Sequence, residues 1–124
     1  MKILIAEDDE VLLNLIAHRM RRIPGAKIAT APNGKLAGQI AASMQPDIVI
    51  TEMIMPLVSG PELIAHLRNE LQSDAYILAV SSIEKTHARV EALSVGADDF
   101  SSKPLDLDEL ISRIESSGRV ARAS

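Results

Sequence analysis

Four consecutive β-branched residues, Ile48-Val49-Ile50-Thr51, stand between the breaker Gln45-Pro46-Asp47 and a single acid, Glu52. Branching at Cβ restricts χ1 in a helix and fits the pleated surface of a strand. A run with no charged residue in it suits a strand covered on both faces, the habit of parallel sheets flanked by helices. The rest of the chain agrees with such a sheet. Lys2 to Ala6, Ala26 to Thr30, Tyr76 to Val80 and a stretch around Asp99 to Ser102 are further strand candidates. Between them the apolar period becomes helical. Val11, Leu12, Leu15, Ile16 and Met20 mark a first helix, and Leu36, Ala37, Ile40, Ala41 and Met44 a second. Leu63, Ile64, Leu67 and Leu71 mark a third, a fourth ends near Gly96, and Leu107, Leu110, Ile111 and Ile114 space a fifth. Pro24-Gly25, Pro32-Asn33-Gly34 and the loop bearing Pro56, Gly60 and Pro61 punctuate the series.

Five strand–helix pairs in strict alternation predict the α/β class: one parallel five-stranded sheet, right-handed crossovers, helices on both faces. A chain of 124 residues has room for a single core of this kind. Residues 1–116 are expected to form the domain, and 117–124, small and polar with Arg119 and Arg122, a flexible tail or truncated linker.

Composition narrows the function. Aromatic residues make up 2% of the chain, with one Tyr, one Phe and no Trp, which argues against a platform that stacks bases on rings. A formal net charge of −4 argues against direct binding to nucleic acid or to an anionic membrane surface. With no Cys there are no disulfides and no thiolate metal ligands. The apolar start meets acids at Glu7, too soon for a signal-peptide core or a membrane span, which leaves a cytoplasmic location as the expectation.

In sheets of this kind ligands sit beyond the carboxyl ends of the strands. The first strand delivers Glu7 and Asp8 there, the third Glu52, the fourth Ser81 and Ser82, and the fifth Lys103-Pro104. Crowded carboxylates repel unless a cation joins them or a proton is retained. Mg²⁺ suits such a set because it takes oxygen ligands and keeps waters that a phosphate can replace. The ammonium of Lys103 and the hydroxyl of Ser81 suit an equatorial phosphoryl oxygen.

On these residues the sequence resembles the receiver domain of bacterial two-component response regulators. The resemblance runs from Lys2 to about Glu115 and rests on several pieces in order. These are Glu7-Asp8, Met55-Pro56 with Gly60, Ser81, Gly96-Ala97-Asp98-Asp99-Phe100, and Lys103-Pro104. It implies a flavodoxin-like (βα)5 fold with strand order 2-1-3-4-5. It also implies that Asp8 is the main Mg²⁺ ligand, with Glu7 helping through water and the backbone carbonyl of Ile54 adding a further ligand. Ser81 becomes the switch hydroxyl, Phe100 the switch aromatic, Lys103 the phosphoryl contact, and Pro104 a cis-proline. The implied partners are a sensor histidine kinase or phosphotransfer protein, or a downstream protein. A homodimer through the helix 4–strand 5–helix 5 face, with Lys85, Arg89, Glu91, Asp106, Asp108 and Arg113, is a further implication.

One departure stands out. Where the family carries its phosphoacceptor Asp this chain has Glu52, also expected among the metal ligands. One extra methylene carries the carboxylate forward by roughly 1.5 Å. Misplacement of that size costs an in-line transfer on the order of a hundredfold. Phosphorylation is therefore expected to be impaired, or imitated by Glu52 reaching Lys103. Met53, Ile54, Leu57 and Val58 are expected to make the pocket rim apolar.

Plainer readings sit beside these. Strand-end acids also occur as solvated residues or as first-turn partners of a helix dipole, the reading adopted for Asp9 and Glu10. Ser81 and Ser82 compete for a helix N-cap role, and Phe100 also fills a groove. His18, His66 and His87 have no metal-like spacing, Met44, Met53 and Met55 read as core filler, and Asp98-Asp99 as a solvated turn. Three functions follow in order: an atypical phosphorelay receiver, a phosphorylation-independent pseudo-receiver acting as a protein-interaction module, and a small Mg²⁺-dependent phosphotransfer enzyme. The enzyme ranks last, because the chain has Glu7-Asp8-Asp9 rather than an Asp-x-Asp nucleophile and no residues to spare for a cap.

Overall fold

The computed structural model describes residues 1–82 and 86–118. Lys85, Arg119 and Arg122 lie outside the described residues. Five strands, β1 (Lys2–Ala6), β2 (Lys27–Ala31), β3 (Ile48–Glu52), β4 (Tyr76–Ser81) and β5 (Asp99–Ser102), form one sheet of order β2-β1-β3-β4-β5, every pair parallel. The helices are α1 (Glu10–Met20), α2 (Gly34–Met44), α3 (Gly60–Ala65), α4 (Thr86–Ser94) and α5 (Leu107–Ser116). This is the flavodoxin-like order, and ligand sites in it lie where β1 and β3 diverge.

Alternation along each strand sorts the core into two layers. Ile3, Ile5, Ile48, Ile50, Leu78 and Val80 turn to the side of α1 and α5 and pack on Leu13, Ile16, Met20, Leu110 and Ile114. Leu4, Ala6, Val49, Ile77 and Ala79 turn the other way, onto Ala37 and Ala41 of α2, Leu63, Ile64 and Leu67 of α3, and Ala92 of α4. All five residues of β3 are buried, as its β-branched run requires.

Four helices begin on side-chain caps that satisfy their first amides. Asp9 accepts from Val11 and Leu12, Asn33 from Leu36, and Asp106 from Asp108 and Glu109. Ser59 and Glu62 form a reciprocal capping box on α3. Asp9 is thus a cap rather than a free first-turn acid.

Two details of the helices differ from the sequence reading. In α1 the buried stripe is Leu13, Ile16, Ala17 and Met20, while Val11 and Leu15 are 70% and 51% exposed. The third helix is α-helical only to Ala65 and continues as a π-helical turn, His66–Glu70. That turn carries Arg68, which donates to the carbonyls of Gly96 (2.9 Å), Ser73 (2.9 Å) and Ala75 (2.8 Å) and to Asp98 Oδ2 (3.0 Å). Asp98 also accepts from the Ile77 amide, and Asp99 pairs with Arg113 at 2.8 Å. Asp98-Asp99 is therefore a pair of engaged acids and not a solvated turn. Among the described residues no helix is long and apolar enough to cross a membrane.

Two glycines hold the loop between β3 and α3. A Cβ on Gly34 would stand 2.1 Å from the Val58 carbonyl oxygen, and one on Gly60 2.3 Å from that of Glu52. Both contacts need hydrogen in place of a side chain.

Candidate functional site

The same alternation that builds the core also aims the polar residues at the strand ends. Continuing the series Ile3, Ile5 puts Glu7 on the α1/α5 side, and continuing Ile48, Ile50 puts Glu52 there too. Lys103, one step beyond Ser102 at the end of β5, meets them from the far side of β4. Its Nζ lies 2.7 Å from Glu7 Oε1 and 2.6 Å from Glu52 Oε1. The two carboxylates are 2% and 5% exposed. Buried charges persist only when paired and hydrogen-bonded, and here one ammonium bridges two acids.

The remaining oxygens are also engaged. Glu52 Oε2 accepts from the amide of Met53 at 2.6 Å and more loosely from that of Ile54 at 3.4 Å. Glu7 Oε2 accepts from the amide of Asp9 at 3.0 Å. Burial pushes the Glu7 carboxyl above its ordinary range, with Lys103 and the Asp9 amide opposing and Asp8 adding to the rise. For Lys103 burial pulls downward, but hydrogen bonds and charge from Glu52 and Glu7 together outweigh it and raise the ammonium above its usual value. Lys103-Pro104 is a cis peptide bond, as the resemblance implies.

Ser81 and Phe100 belong to the opposite face. Phe100 packs in the α2–α4 layer at 2% exposure, and the register Ala79↔Phe100, Ser81↔Ser102 makes Ser81 its diagonal neighbour. Ser81 is wholly buried. The guanidinium of Arg89 on α4 stands over the Phe100 ring, 5.5 Å from its centroid. In the sequence Arg89 is one of several surface charges, and nothing marks it as a partner of the lone Phe until α4 is placed.

Asp8 is exposed, unlike its neighbour Glu7. Among the described residues no three carboxylates or imidazoles stand together as a metal-holding group. Mg²⁺ asks for near-octahedral oxygens at about 2.1 Å. As arranged, the oxygens of Glu7 and Glu52 are turned to Lys103 and to backbone amides, and the set does not fit that ion. The rim is narrower than the sequence suggests. Ile54 and Leu57 are 56% and 74% exposed, but Met53 and Met55 belong to the core and Val58 is half-buried. Leu57 holds a left-handed backbone, φ 70°.

Residues 3–115 match the family model described as the response regulator receiver domain. The chain is 32% identical over 115 residues to the transcriptional regulatory protein PrrA of Mycobacterium tuberculosis, covering 92% of this chain and 48% of PrrA. It is 26% identical over 114 residues to RpaA of Synechocystis, a DNA-binding dual master transcriptional regulator, covering 91% and 47%. The chain thus spans about half the length of the curated relatives it matches. Among solved structures, the receiver domain of the Francisella response regulator 1452 superposes with a TM-score of 0.86 at 27% identity, covering 99% of this chain and 98% of that one.

Proposed function

This chain belongs to the response regulator receiver domain family, and from that premise we propose that it serves a two-component phosphorelay with Glu52 standing at the phosphoacceptor position. In this reading the lysine that would contact a phosphoryl group is already satisfied by a carboxylate. The observation that carries the proposal is the Lys103 Nζ–Glu52 Oε1 contact of 2.6 Å. An acid one methylene longer than Asp reaches the ammonium directly and supplies part of the negative charge that an acyl phosphate would bring. The inward, buried Ser81 and Phe100 support a site held near one state, with Ser81 as the switch hydroxyl and Phe100 as the switch aromatic. Receiver domains act as signalling modules, and the proposal assigns no turnover to this one.

A second reading is favoured by the exposed Ile54 and Leu57 at the pocket mouth and by Val90 and Leu93 on α4, 56% and 42% exposed. Such surfaces suit a protein partner recognised regardless of phosphorylation, whether a histidine kinase, a phosphotransfer protein, a downstream protein or a second copy of the chain. The relatives' role in transcription extends to this chain only as part of the same proposal.

The experiment is incubation with acetyl phosphate or a beryllofluoride salt in the presence of Mg²⁺, for the unaltered chain and for Glu52→Asp, read by intact mass and by NMR. Modification of the Asp variant alone supports the assignment. Modification of both, or of neither, removes it.

A further inference from the structure

We infer that Lys103 is the resident cation of this pocket and that the pocket is complete without a divalent ion. The inference goes beyond the proposed function, because it does not depend on whether Glu52 accepts or imitates phosphate.

Three observations carry it. The ammonium lies between the two buried carboxylates, 2.7 Å and 2.6 Å away, and sets its charge against both. The oxygens not facing Lys103 accept from the amides of Asp9, Met53 and Ile54, so each buried carboxylate already has a partner on both oxygens. Asp8, which interacts with Glu7, is exposed to water, and one exposed carboxylate beside an engaged acid holds Mg²⁺ weakly.

Competition favours the lysine. The ammonium is tethered to the sheet, so its effective concentration at the pocket is that of an intramolecular ligand. Mg²⁺ must displace it and shed tightly held water as well. The length of Glu52 is what closes the arrangement. A shorter acid at the same backbone position ends roughly 1.5 Å further from the ammonium and leaves room between them.

The test is a thermal melt and an isothermal titration with MgCl2, run on the unaltered chain and on Lys103→Met, with Lys103→Arg as the charge-conserving control. The unaltered chain and the Arg variant are expected to shift by less than about 1 °C in 10 mM MgCl2, with no saturable heat. Lys103→Met is expected to melt lower and to regain much of the loss on adding Mg²⁺. Saturable binding by the unaltered chain below about 1 mM overturns the inference, and this measurement stands even if Lys103→Met does not fold. A folded Lys103→Met that is equally silent also overturns it, since the lysine is then not what replaces the ion. Neither result touches the labelling of Glu52→Asp, so the two proposals fail separately.

Discussion

Arg68 Nη2 stands 3.0 Å from Asp98 Oδ2, and the contact closes a ring of hydrogen bonds joining the π-helical turn, the start of β4 and the turn between α4 and β5. One guanidinium satisfies three backbone carbonyls and a carboxylate that itself receives the Ile77 amide. Removing it takes this donor from the three carbonyls and leaves Asp98 with the Ile77 amide. Arg68→Ala should cost about 2–4 kcal/mol in urea unfolding, and Arg68→Lys should recover less than half, because a point charge lacks the planar fork. A loss below about 0.5 kcal/mol for the Ala variant would show the ring to be dispensable.

Gly60 bears directly on the site. Its amide donates to the Met53 carbonyl at 2.8 Å, and a Cβ there would meet the Glu52 carbonyl at 2.3 Å and Met53 Cα at 2.6 Å. Both neighbours are backbone and cannot swing aside. Gly60→Ala should destabilise by about 1–3 kcal/mol and move the end of β3, shifting the NMR signals of Met53 and Lys103. Unchanged spectra would refute the close approach.

Tyr76 gives a direct reading of pH linkage, because it is the sole Tyr in a chain without Trp. Burial, with the Asp99 charge beside it, pushes the phenol from 10.0 up to about 12. The folded protein then holds that proton more tightly than the unfolded chain does. Its contribution is intact below about pH 10 and drains as pH climbs toward 12. Lys103, also raised, adds a loss in the same direction above its ordinary 10.5. Phenolate absorbance near 295 nm should titrate late in the native protein, and Tyr76→Phe should flatten part of the alkaline fall in stability. A native midpoint at the ordinary value contradicts this.

Leu57 combines a left-handed backbone with 74% exposure. A non-Gly residue there carries about 1–2 kcal/mol of strain, and little burial offsets it. Leu57→Gly should therefore leave stability within about 0.5 kcal/mol or raise it, despite the loss of a large apolar side chain. A clear loss in chemical unfolding would mean that Leu57 makes contacts its exposure does not suggest.

The sheet was legible because its strands are short, rich in β-branched residues at β3 and bounded by Pro, Gly and acids. The α1 stripe was not, since residues 11, 12, 13, 15, 16, 17 and 20 are all apolar and two overlapping faces fit the same spacing. Helical period says that a face is buried; only the position of β2 and α5 says which. The π-helical turn leaves no mark in composition. Asp98 and Asp99 read as solvent-facing because their partners lie 30 and 14 residues away, at Arg68 and Arg113. For the site, residue types and strand ends were readable. The separation of Glu7, Glu52 and Lys103 from Ser81 and Phe100 follows from counting parity along strands whose ends are known.

The glycine contacts on either side of the β3–α3 loop have an evolutionary consequence. Gly34 presses on Val58 and Gly60 on Glu52, so the path of the loop is dictated from beneath. Ile54 and Leu57 take no part in that grip. Their identities can change while the carboxylate at position 52 keeps its place. In such a lineage the surface of the pocket mouth can change quickly over a strand end that hardly moves.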